Sequence, residues 1–171
     1  MLQKFLKHRK YKKMIKGSSS FILEEFALIV NETIEHFEKE GQIKSPEQKE
    51  ILKFELTALV FWLFQKTDMF PELYHKLLLD EIHNQYYNRL RKHGYDFKMR
   101  QVVADDFNLR YKTYNESFNK DQDLAKVGAK FVRFLSEGSK TDLDIKDMMI
   151  PLLLTEKLTP KFKEWRKVMK N

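Results

Sequence analysis

Leu56-Thr57-Ala58-Leu59-Val60-Phe61-Trp62-Leu63-Phe64 is apolar on every side of a helical wheel except at Thr57. A helix on the surface of a protein keeps a polar face, so a segment apolar all round belongs in the interior of a helical bundle. Upstream, Ser45-Pro46-Glu47-Gln48 supplies an N-cap, a first-turn proline and a capping-box glutamine in that order, which predicts a helix from Pro46 to about Lys66. The segment is too short to cross a membrane. Lys53 and Glu55 precede it, Lys66 and Asp68 follow it, and a span needs about 20 apolar residues. Glu55 is the anomaly of this helix, an acid that must find a hydroxyl, a lysine or an interface partner, or else shift its pKa.

Outward from this centre the punctuation stays helical. Gly41, Gly94 and Gly138 each follow a long periodic stretch, where a left-handed cap is expected. Leu23, Phe26, Ala27, Val30, Ile34 and Phe37 form a stripe at spacings of three and four, predicting a helix from about Phe21 to Glu40 behind Ser18-Ser19-Ser20. Further helices are expected over Glu72–His93, with Arg89, Arg91 and Lys92 complementing the dipole of its last turns, and over Phe97–Asn119 behind an Asp96 cap. Leu124–Glu137 reads as a fifth. A sixth, Leu143–Lys157, contains Pro151, which should kink or split it, and Thr159-Pro160 opens a short seventh running to Lys170. No segment alternates as a strand does. The expected architecture is all-α: one domain of six or seven helices, mostly antiparallel neighbours, around a highly apolar central helix at about 46–66.

The 171 residues suffice for one sizeable core, and 42% hydrophobic content with 14 Phe and 7 Tyr argues for a folded chain. The absence of cysteine excludes disulfide frameworks, thiolate metal sites and cysteine nucleophiles, and leads to the expectation of a cytoplasmic protein. Five glycines, none within nine residues of another, cannot write a phosphate-binding loop or a dinucleotide fingerprint.

The net charge of +7 is the sum of unlike parts. Met1–Lys16 carries +7 and Lys157–Asn171 carries +5, leaving −5 on the residues between. This divides the chain into a basic N-terminal arm (1–16), a bundle (17–157) and a short basic amphipathic C-terminal helix (158–171). Basic ends on an acidic body suit a partner rich in phosphate, either nucleic acid or an anionic membrane surface. The residues that would meet it are Lys4, Lys7, Arg9, Lys10, Lys12, Lys13 and Lys16 at one end and Lys163, Arg166, Lys167 and Lys170 at the other. Charge so placed predicts no basic cleft across the bundle itself. The wheel of the N-terminal run shows no single clean face, so it reads equally as a helix or as an arm that orders on a polyanion. At the other end Phe162, Trp165 and Met169 share one sector beside a basic one, a helix that docks on the bundle, inserts at an anionic membrane surface or presents its basic face to nucleic acid.

Catalytic chemistry finds less support. Asp80 and His83 have the spacing of half a ferritin-like metal site, and Glu32 with His36 a looser version of it. The fourth helix, however, offers Asp105 and Asp106 without a histidine, so no metal and no cofactor is assigned. Glu55, His75, His83, Tyr86, Tyr111 and Tyr114 form a candidate pocket in the bundle core, the alternative in which the protein is a small-molecule carrier or an enzyme. A further alternative is a structural subunit, a homodimer or a partner of another protein. The reading preferred is a binding module rather than an enzyme, engaging an anionic partner through its basic ends.

Overall fold

The computed structural model describes residues 2–67, 72–118, 122–138 and 150–168, with the backbone alone for 2–11, 137–138 and 166–168. Among these residues there are six helices and no strand. They are α1 (Leu2–Lys39), α2 (Pro46–Gln65), α3 (Glu72–Lys92), α4 (Phe97–Phe118), α5 (Leu124–Gly138) and α6 (Ile150–Val168).

Local chemistry sets several boundaries where the sequence put them. Ser45 is extended (φ −147°, ψ 155°) and its Oγ accepts the Gln48 N–H at 3.2 Å. Gln48 Oε1 accepts the N–H of Lys44 at 2.6 Å, one residue earlier than in a standard capping box. Gly41 (φ 70°) and Gly94 (φ 90°) end α1 and α3 in the left-handed region. The N–H of Gln42 reaches the Phe37 carbonyl and that of Tyr95 the Leu90 carbonyl, the long bond of a Schellman cap in both cases. Asp96 caps α4 through the Met99 N–H at 2.8 Å.

α2 is the axis of the molecule. It packs on α1, α4, α5 and α6, and its Phe61 ring meets His83 and Tyr86 of α3. The other five helices surround it in the order α1, α3, α4, α5, α6, and α6 returns to α1 through Lys161–Glu25, Lys157–Glu32 (3.8 Å) and the Phe21–Trp165 ring pair. Every residue from Ala58 to Phe64 is buried, which is why this helix carries no polar face. Each such large side chain removed from water stabilises the fold by about 1.5–3 kcal/mol. Consecutive helices alternate in direction, so α1 and α3 run parallel: Gln85 lies beside Lys16 and Ser19, and Arg89 beside Glu24.

Two expectations require correction. α1 does not begin at Phe21 but continues unbroken from Leu2 through Gly17 and Ser18-Ser19-Ser20, because Ile15 and Ser19 are buried and Gln85 of α3 donates to Lys16 O (3.1 Å) and Ser19 Oγ (2.8 Å). The kink expected at Pro151 falls at the edge of the described residues. Pro151 is the second residue of α6, in the first turn, where its missing N–H is not needed. Pro160 lies inside α6 and opens no seventh helix, since Leu158, Phe162 and Trp165 must all face the core from one continuous helix. The expected helical residues 143–149 fall outside the described residues, and Gly138 is the last residue of α5.

Candidate functional site

The six residues of the candidate pocket separate into three packed groups. In the first, Glu55 (2% exposed) receives three hydrogen bonds from the Arg110 guanidinium, two of them from Nε at 3.0 and 3.1 Å. The guanidinium is held between the rings of Phe54 and Phe134, 5.0 and 4.6 Å from their centroids, and Asp106 adds a carboxylate 3.4 Å away. Burial pushes the Glu55 carboxyl above its usual range, although Arg110 works against it. The partner is therefore an arginine, neither the lysine nor the hydroxyl expected. The Tyr114 hydroxyl, buried beside this pair, finds no hydrogen-bond partner among the described residues.

In the second group, His83 Nδ1 lies 2.8 Å from the Leu79 carbonyl and Nε2 2.8 Å from the Tyr111 hydroxyl. A carbonyl can only accept, so Nδ1 carries the proton and Tyr111 donates to Nε2. Tyr86 stacks on Phe107 at 5.5 Å and meets Phe61 edge-on. Burial pushes His83 below its ordinary pKa, so the unfolded chain takes up the proton at a higher pH than the folded one. The resulting stabilisation is complete above about pH 6.5 and is lost as pH falls through the lowered folded value. Urea midpoints should therefore drop between pH 7.5 and 5.5, and His83→Phe should flatten that drop. An unchanged slope in the variant would remove His83 as its source. In the third group His75 packs its ring 5.1 Å from Phe64, apart from both others.

Asp80 and Glu32 are exposed, Glu32 facing Lys157, and among the described residues no cluster of three His, Asp or Glu is placed to hold a metal ion. No helix among them is long and apolar enough to cross a membrane.

The grooves lie elsewhere. One, of about 540 Å³, runs between α1 and the end of α3 and is lined by Lys13, Lys16, Gly17 and Ser20 on one wall and Gln85, Asn88, Arg89 and Lys92 on the other. Four cations thus line one concavity together with Ser20 and Asn88, and no acid is in the lining. Gly17 adds no side chain to this wall, and a Cβ there would touch nothing within 4 Å. Like charges are brought together here by the parallel packing of α1 on α3. The expectation of no basic cleft on the bundle is corrected accordingly, since Arg89 and Lys92, two of the four cations, come from its body.

A second groove, of about 590 Å³, opens among α1, α2 and α3. Its floor is Leu23, Phe26, Val30, Phe54, Phe61 and Leu90, and its rim includes Asn31, Glu50, Lys53, Arg89 and His93. Tyr86, of the six residues proposed for a pocket, lines it. Arg89 lines both grooves and makes a loose pair with Glu24 at 3.6 Å, the arginine side chain 40% and the glutamate 65% exposed.

At the other end Trp165 is 2% exposed, enclosed by Phe21, Phe26, Phe64 and Phe162. Phe162 and Trp165 of the expected apolar sector are therefore docked on the bundle, while Met169 lies outside the described residues. Lys12 and Lys163 are exposed. Lys4, Lys7, Arg9 and Lys10 lie in α1, and Arg166 and Lys167 in α6, with side chains outside the described residues, as is Lys170 altogether.

Sequence reasoning identified Lys13 and Lys16 but missed Arg89 and Lys92 as their companions, having explained those by the α3 dipole. It also missed Arg110, although an arginine on the stripe of Phe107 and Tyr114 was a visible signal. No protein-family model, curated protein or solved structure matches this chain.

Proposed function

We propose that this protein is a helical-bundle binding module whose cationic groove between α1 and α3 engages a phosphate-bearing partner. The observation that carries the reading is the convergence of Lys13, Lys16, Arg89 and Lys92 on one concavity around Ser20 and Asn88. Four like charges lining one groove favour an anion of two or more charges over a neutral ligand. The groove presents donors without an aromatic platform, so it suits phosphate better than stacked bases.

The test is binding of tripolyphosphate and of phosphatidylserine vesicles to the full chain and to Lys13→Glu/Lys92→Glu. Each cation near an anionic surface contributes about 1 kcal/mol, so reversing two should weaken vesicle binding by about 30-fold or more. Binding of the parent should also fall steeply with added salt. Equal binding by both proteins, or salt-insensitive binding, contradicts the proposal.

A further inference from the structure

The cationic groove adjoins an apolar one, and the two share Arg89. The second groove has a size usual for small-molecule sites, and its accessible apolar lining comes from Ala27, Phe54, Tyr86, Leu90 and Tyr95, laid over the core side chains Leu23, Phe26, Val30 and Phe61. Glu50, Lys53 and His93 stand on its rim, and Arg89 is the cation common to both linings. A ligand that satisfies both grooves at once has an apolar chain and a multiply charged anionic head. Joining the two on one molecule makes the second contact intramolecular, which strengthens binding beyond either part alone.

We infer that the protein binds a single-chain lipid phosphate, with the acyl chain seated among α1, α2 and α3 and the phosphate held by Arg89 at the edge of the cationic groove. This inference rests on the phosphate reading above and adds the acyl chain. The loose Arg89–Glu24 pair is the contact the head group replaces. Without a ligand the guanidinium keeps a partner, and on binding it exchanges an exposed carboxylate for a phosphate. Each methylene taken out of water multiplies affinity by about fourfold, so the chain, more than the head, sets the strength of binding.

The test is calorimetric titration of the full chain with oleoyl lysophosphatidic acid below its aggregation threshold, with glycerol phosphate and tripolyphosphate as probes without a chain. One site per protein is expected, with glycerol phosphate weaker by about a hundredfold or more. Ala27 lines the groove but is exposed, so Ala27→Trp fills the groove without entering the core; Thr57→Trp does the same from the opposite wall. Either variant, with thermal unfolding unchanged, should weaken lysophosphatidic acid by about tenfold or more and leave tripolyphosphate binding intact. Arg89→Gln should weaken both. Tripolyphosphate or a short nucleic acid duplex binding where lysophosphatidic acid does not would overturn the acyl inference and leave the phosphate reading standing. Failure of all three probes would overturn both. Lysophosphatidic acid binding that neither blocking variant weakens would place the chain elsewhere and likewise refute the inference.

Discussion

Arg110→Met is expected to destabilise the protein by about 3–5 kcal/mol, a large part of the 5–15 kcal/mol available to a domain. The cause is Glu55. It is 2% exposed and receives three of its hydrogen bonds from that one guanidinium, so removing Arg110 leaves a carboxyl in the centre of the bundle that must either stay charged without a partner or take up a proton. Asp106, partly exposed and 3.4 Å from Arg110, gives Glu55 no compensation because it has the same sign. The double variant Glu55→Leu/Arg110→Met should recover most of the loss, since a well-packed apolar pair commonly matches a buried ion pair in stability. Denaturant titration of the two single variants and the double variant measures the coupling directly. A cost for Arg110→Met below about 1 kcal/mol, or a double variant no better than the single, would contradict the buried-pair account.

Trp165→Ala carries the second large effect, about 3–5 kcal/mol, as for other fully buried aromatic side chains cut back to alanine. Four aromatic rings enclose the indole, and with Phe162 and Leu158 it fixes α6 against α1 and α2. Trp165→Phe should cost much less. It keeps most of the apolar volume and removes a buried indole N–H that has no hydrogen-bond partner among the described residues. If Trp165→Ala changed stability by less than about 1 kcal/mol, the C-terminal helix would not be docked as the structure has it. The same burial bears on function: a tryptophan needed inside the bundle is not available to insert into a bilayer, so the phosphate-binding reading falls to α1 and α3.

Local features of the fold were legible because local chemistry determines them. The Ser45-Pro46 start, the Gly41 and Gly94 caps and the central position of α2 follow from backbone hydrogen bonds and from a helix with no polar side. What escaped the sequence depends on packing between distant segments. Gly17-Ser18-Ser19-Ser20 reads as a break, yet α1 runs through it because Ile15 and Ser19 are buried and α3 supplies Gln85. Thr159-Pro160 reads as a start, yet the spacing of Leu158, Phe162 and Trp165 keeps α6 continuous. The Glu55 partner lies 55 residues away on α4, beyond any periodic signal from α2. The candidate site follows the same rule. The basic run through Lys16 was visible, but its pairing with Arg89 and Lys92 depends on α1 and α3 lying parallel, and no residue spacing encodes that.

That pairing is the central claim, and it is tested most directly by following backbone amides of the ¹⁵N-labelled full chain by NMR during a low-salt titration with tripolyphosphate. Saturable shifts are expected, gathered at Lys13–Ser20 on α1 and Gln85–Lys92 on α3 and abolished in Lys13→Glu/Lys92→Glu. Shifts centred on α6 instead, or none on α1 and α3, would contradict that claim.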